Sequence, residues 1–174
     1  MDGLGRLFDI GLAWAPVDTQ SAAITGKRID CSMFNALTIV VIKAAGTAND
    51  DPVFDLQQHT AYTGGTTADL DKISYYYVKQ ETALDNDETW AKVTQSAASE
   101  VTGNGTSAES QALYVFEVDC SQLSDGYTHV SLDLADTGSA GAQLAAAIYI
   151  PHELRYQRNP VRLSNLLRPG VANA

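Results

Sequence analysis

The residues of this 174-residue chain with the types and spacing to do chemistry are three histidines, two cysteines, an acidic tetrad and one glycine-flanked serine. Hydrolysis by a nucleophile needs a base beside it and a third group to orient that base. Gly138-Ser139-Ala140-Gly141 lacks the GxSxG spacing, and no strand-turn-helix pattern surrounds it. His59, His129 and His152 are scattered, and the first two fall on strand positions expected to face solvent. Asp85-Asn86-Asp87-Glu88 has the charge for calcium, but no glycine stands at the sixth position of an EF-hand loop and Lys92 follows closely, so it reads as an acidic surface loop. A cation bridging subunits through Asp50 and Asp51 is the alternative metal reading. Gly103-Asn104-Gly105 lacks the strand and helix of a phosphate loop, and the sequon Asn104-Gly105-Thr106 stands without a secretory signal. Cys31 and Cys120 each end an expected strand, with no CxxC and no Cys/His cluster. They read as buried thiols, able to pair only if their strands are neighbours. The expectation is no catalytic residue, no metal and no cofactor.

The elements that carry these residues read as strands. Ala36–Lys43 is apolar and β-branched in Leu37, Ile39, Val40, Val41 and Ile42, the pattern of a strand covered on both faces. Pro52–His59, Asp71–Gln80, Trp90–Gln95, Ala112–Asp119 and Tyr127–Leu134 alternate, and Gln143–Ile150 and a short strand at Lys27–Cys31 bring the expectation to seven or eight. Turn residues separate them, as in Thr63-Gly-Gly-Thr-Thr67 and Ser124-Asp-Gly126. Ser96–Val101 and Ala108–Gln111 are short helix candidates, and Ser121–Ser124 a single helical turn. Strands this short and this many bury their apolar faces by packing as two sheets. The expected fold is therefore all-β, an antiparallel, jelly-roll-like β-sandwich over residues 27–154. Residues 1–26 read as an N-terminal arm and 155–174 as a C-terminal arm.

Charge distinguishes the arm from the body. The formal net charge is −10, from 11 basic and 21 acidic residues. Arg155, Arg158, Arg162 and Arg168 lie beyond residue 154, where no Asp or Glu occurs. The body thus carries seven basic against 21 acidic residues, or −14, and the arm carries +4. Such a body repels nucleic-acid phosphates. The arm suits an acidic surface, since arginine binds carboxylates through forked hydrogen bonds. Leu163, Leu166 and Leu167 would fill an apolar groove, with Tyr156 beside them. The contact residues expected are Arg155, Tyr156, Arg158, Arg162, Leu163, Leu166, Leu167 and Arg168, joined by Leu7, Phe8 and Trp14 near the N-terminus. A solubilising tail that binds nothing, or weak nucleic-acid binding, are the competing readings. The longest apolar runs, Leu37–Ile42 and Leu144–Ile150, fall far short of a membrane helix, and no signal peptide opens the chain. Tyr75-Tyr76-Tyr77 with Trp90 offers one further function, an aromatic platform for sugars, although alternation sends Tyr76 to the opposite face from its neighbours.

Four stretches resemble the small β-sandwich virion proteins of tailed bacteriophages that decorate or cement capsids. They are Leu7-Phe8-Asp9-Ile10 through Pro16-Val17-Asp18 with Leu37–Ile42; Phe54-Asp-Leu-Gln-Gln58 ahead of Tyr75–Lys79; Tyr114–Asp119, Gln122–Tyr127 and Val130–Leu134; and Gln143-Leu144 with Ile148–Ile150 and Arg155-Tyr156. The resemblance implies a subunit without cofactor or catalytic residues, made in the host cytoplasm and bound to the virion's capsid surface. Its implied partners are the major capsid protein and further copies of itself, as a dimer or trimer, with neither nucleic acid nor membrane. Neck and tail proteins share similar sandwiches.

Overall fold

The computed structural model describes residues 3–103, 110–138 and 141–155. Among these, eleven strands form: β1 Gly11–Asp18, β2 Ile29–Asp30, β3 Phe34–Lys43, β4 Val53–His59, β5 Thr67–Asp69, β6 Ile73–Glu81, β7 Ala91–Ala98, β8 Glu100–Thr102, β9 Gln111–Asp119, β10 His129–Leu134 and β11 Leu144–Leu154. All eight expected strands are present. Strands β1, β5 and β8 were not expected, and the helix candidate at Ser96–Val101 is instead the end of β7 and the start of β8. Of the other candidate, Ala108–Gln111, two residues lie outside the described ones and Gln111 is the first residue of β9.

Two antiparallel sheets pack face to face. One has the order β1-β11-β3-β9-β6-β7 and the other β2-β10-β4-β5, with β8 also paired to β4. Apart from the β4–β5 and β6–β7 pairs, successive strands cross between the layers, so that β1-β11-β3-β9 faces β2-β10-β4-β5 in the strand order of a jelly roll. The β6–β7 hairpin widens the first sheet. Alternation fills the space between the layers with Leu37, Ile39 and Val41 of β3, Phe54 and Leu56 of β4, and Val130, Leu132 and Leu134 of β10. At its centre Phe54 packs at 5.0 Å from Tyr114 and 5.6 Å from Phe116, joining the two sheets through an aromatic cluster.

The N-terminal stretch corrects the expected arm. Residues 11–18 are an integral strand, paired with β11 from Gly11↔Tyr149 to Asp18↔Leu144. Trp14 is accordingly part of the core, only 4% exposed. Its indole Nε1 donates to the Leu132 carbonyl at 3.1 Å. The reason lies in the neighbouring edge. Residues 24–29 run beside β10 from the Ile24↔Leu134 bridge to the Ile29↔Val130 pair, five steps on one side against four on the other. That extra residue makes a bulge, which leaves the Leu132 peptide groups without strand partners. Gly26 sits against them, where a Cβ would lie 2.2 Å from the Leu132 oxygen. The opposite sheet supplies the missing bonds. Trp14 takes the oxygen, while Tyr149 Oη accepts from the Leu132 N–H at 3.0 Å and donates to Lys27 O at 2.8 Å.

Tyr149→Phe is expected to lower unfolding stability by about 1–3 kcal/mol, the cost of stranding a buried backbone group. Trp14→Ala should cost about 3–5 kcal/mol, whereas Leu7→Ala, at a residue 57% exposed, should stay within about 0.5 kcal/mol. Urea titrations measure all three; a Trp14→Ala midpoint equal to wild type would contradict its placement in the core.

Candidate functional site

The two sheets present outer faces of opposite character. On the smaller sheet, Asp55, Gln57 and His59 of β4 and His129, Ser131 and Asp133 of β10 point away from the core, as alternation requires. The expectation that both histidines face solvent is nevertheless wrong, since His59 is 3% and His129 6% exposed. Alternation assigns the face but cannot see what folds over it. Arg28 reaches across, its Nη1 donating to Ala61 O and Gly64 O at 2.7 Å each. The loop it holds turns through two consecutive left-handed glycines, Gly64 (φ 66°) and Gly65 (φ 67°), and the ring of Tyr62 lies 6.4 Å from that of His129.

Beneath this cover lies a serine, a histidine and an aspartate wired differently from a hydrolase. Ser131 Oγ donates to Asp133 Oδ1 at 2.8 Å, so its lone pairs accept from His59 Nε2 at 2.9 Å. His59 Nδ1 in turn accepts from Thr67 Oγ1 at 2.9 Å. The aspartate therefore orients the serine rather than the histidine, and the histidine has no lone pair aimed at the hydroxyl. Ser131 is fully buried. Burial, reinforced by the Arg28 and His129 charges, lowers the His59 pKa to about 4. Burial also lowers that of His129 and raises that of Asp133. This network closes the sheet's outer face.

The larger sheet is open. The strand β3, whose pattern predicts cover on both faces, has none on its outer face among the described residues: Ile42 is 51% exposed. Register aligns its outward residues with those of its neighbours. One row across all six strands reads Leu12, Ile148, Val40, Val115, Tyr77 and Lys92. The next row toward one end reads Ala146, Ile42, Leu113 and Lys79. Toward the other end come Ile150, Thr38 and Glu117, and then His152, Ala36 and Asp119. The face thus grades from an apolar belt to a polar, acidic end. Leu144 (55% exposed) and Trp90 (50%) extend the belt.

At the acidic end is a groove of about 550 Å³, lined in part by Asn35, Lys72, Tyr75, Glu117, Asp119 and Glu153. Thr38 Oγ1 donates to Glu117 Oε2 at 2.9 Å and accepts from His152 Nε2 at 3.1 Å. The Ser121 N–H, 2.8 Å from Asp119 Oδ1, holds that carboxyl below its ordinary range and keeps it ionised. Glu153, near the end of β11, adopts a left-handed φ of 53°. The next residue but one, Arg155, donates from Nε to Asn35 Oδ1 at 2.9 Å, on the groove's rim.

Two of the expected contact stretches meet here. Phe8 bridges to His152, three residues before Arg155, and exposed Leu4, Leu7 and Ile10 flank it. Trp14 does not join them, and Tyr156, Arg158, Arg162, Leu163, Leu166, Leu167 and Arg168 lie outside the described residues. Tyr76 belongs to the core, so the outward aromatic group is half-buried Tyr75 and Tyr77 with exposed Trp90; Lys92 stands 4.0 Å over the Tyr75 ring. In the acidic tetrad Glu81 stands in place of Asn86. Carboxylate oxygens of Glu81, Asp85, Asp87 and Glu88 lie within 4.8 Å of one another, exposed except for half-buried Glu88. Asp50 is bonded by Gln20 Nε2 at 2.7 Å. Sequence reasoning missed one repeated signal, Asp-Cys-Ser at residues 30–32 and 119–121. Each aspartate caps a single 3₁₀ turn, and each turn buries its cysteine. The two thiols are free and neighbouring, and a hydrogen bond to Cys120 together with burial raises the pKa of Cys31.

Because the folded His59 pKa lies below its ordinary 6.5, the unfolded chain binds the extra proton. The stability tied to neutral His59 is complete above pH 6.5 and falls as pH drops from 6.5 toward 4. Asp133, with its raised pKa, acts in the opposite sense near its own range. Comparing wild type with His59→Gln separates the two: the variant should lose less stability between pH 6.5 and 4. Identical slopes in urea titrations would contradict the buried, neutral histidine.

No family model matches the chain, and no curated protein or solved structure matches it either.

Proposed function

We propose that this chain is a virion structural protein, decorating or cementing an icosahedral capsid by binding major capsid subunits and neighbouring copies through its terminal segments. In this reading it is non-enzymatic, needs no cofactor, and sits on the capsid surface after synthesis in the host cytoplasm. The observation that carries it is that a +4 segment without acidic residues begins with Arg155 at the rim of an acidic groove, on a sheet face whose apolar belt no described residue covers. A charged segment beside exposed apolar surface is the chemistry of docking, since large exposed apolar patches mark interaction sites. The resemblance of β9, β10 and the end of β11 to small virion sandwiches supplies the identity of the assembly. Many small subunits, each adding modest interface energy, strengthen a shell through symmetry and avidity.

A specific observation favours a second reading, a carbohydrate-binding module. Tyr77, Trp90 and Val115 line a hollow of about 280 Å³, and flat aromatic surfaces pack against sugar rings.

Residues of the core cluster lie between Ala13 and Tyr149, with Leu154 packed against it, so removal of residues 156–174 should leave a folded sandwich. The truncated protein is expected to lose co-sedimentation with shells to which the full chain binds; undiminished binding would overturn the docking role of the arm. Binding on a glycan array that disappears in both Tyr77→Ala and Trp90→Ala would favour the second reading instead.

A further inference from the structure

We infer that the groove and belt on the six-stranded sheet are the docking site for the C-terminal arm of a second copy of this chain, the arms exchanging reciprocally. This deepens, and rests on, the docking role just described.

Three observations carry it. The first is order. Moving up the sheet from the groove, the surface runs from Asp119, Glu117 and Glu153 to the belt centred on Val40 and Ile148. The arm runs in the same order, from Arg155, Arg158 and Arg162 to Leu163, Leu166 and Leu167, with Arg168 beyond them. From Leu154 to the row of Ile148 is about 20 Å at the rise of a strand. Nineteen residues follow Arg155, and extended they reach roughly 60 Å.

The second is width. A row across six strands spans about 24 Å, whereas one extended segment covers about 5 Å of it. An arm folded back on its own sheet would leave most of the belt exposed. A second copy brings a belt of its own as well as an arm, the self-complementary arrangement of a two-fold interface.

The third is charge. Two bodies of −14 repel each other when brought face to face. Arginines delivered by each partner into the other's groove supply the opposing charge at the place where the acids cluster. The Arg155–Asn35 bond holds the last described residue at the rim of the groove where those acids cluster.

The test uses two full-length variants, one reversing the groove (Glu117→Lys with Asp119→Lys) and one reversing the arm (Arg158→Glu with Arg162→Glu). Circular dichroism and melting curves identify preparations that fold as wild type. In sedimentation equilibrium the wild type should self-associate, more weakly at high salt, and each variant alone should weaken association by roughly tenfold or more, as expected for lost charge-assisted pairs. Mixing the variants pairs acidic arms with basic grooves, and basic arms with acidic grooves, and should restore association as a heterodimer. A wild type that stays monomeric at every concentration would overturn the proposal, as would a mixture that stays monomeric. Self-association that survives both reversals would overturn it too, and the capsid reading would stand if particle binding were lost in the same variants. Normal particle binding by monomeric variants would separate the two claims in the opposite sense.

Discussion

The backbone of one residue, Leu132, fixes how the two layers of this protein meet. A bulge in the neighbouring edge segment takes away its strand partners, and Gly26 brings that segment too close for any side chain. An unpaired buried peptide group costs as much as a lost hydrogen bond. The cost is avoided because β1 and β11, both in the opposite sheet, send Trp14 and Tyr149 across the core to bond the oxygen and the nitrogen. The consequences run outward from there. With Tyr149 held inward, Ile148, Ile150 and His152 must face out. Those residues align with Val40, Thr38 and Ala36 of β3, and β11 ends beside the acidic groove. The clamp thus sets both the closure of the sandwich and the surface on which the chain's basic end emerges.

The contrast between the outer faces follows from what each side chain demands. On the smaller sheet Asp55, Gln57, His59, His129, Ser131 and Asp133 face outward, and an arginine and a glycine turn fold over the histidines. Such groups are tolerated in a dry place only when they are bonded to one another. The His59–Ser131–Asp133 chain meets that demand, at the expense of keeping the histidine neutral. On the larger sheet the outward residues at the belt, Val40 and Ile42 of β3, Leu113 and Val115 of β9 and Ala146 and Ile148 of β11, are aliphatic. They have no bonds to satisfy, and among the described residues they are half-buried or, at Ile42, exposed, which leaves free energy to be gained by covering them.

Much of this was legible in the sequence, and the failures have identifiable causes. Period-2 alternation and turn residues located the eight expected strands, including the outward positions of His59 and His129. Strand β1 escaped because its pairing with β11 has two register irregularities, and Pro16 lies within it; bulges break the alternation on which recognition depends. Trp14 was assigned to an interface for the same reason, its partner being 118 residues away. The burial of the histidines depends on Arg28 meeting a loop more than 30 residues later, a contact no local pattern encodes. The doubly apolar pattern of β3 was read as cover on both faces. Its chemistry was read correctly, and the uncovered face is the strongest feature of the candidate site. The groove was invisible beforehand, because its acids come from the ends of β9 and β11, brought together by sheet order alone.

The account turns on where the arm lies in the assembled protein. A photo-crosslinking residue at position 158, in a mixture of isotopically light and heavy full-length chains, reads this directly by mass spectrometry. The account predicts crosslinks between light and heavy chains, from position 158 to residues 117–122 at the groove. Crosslinks confined to one chain, or falling on the closed face around His59, would contradict it.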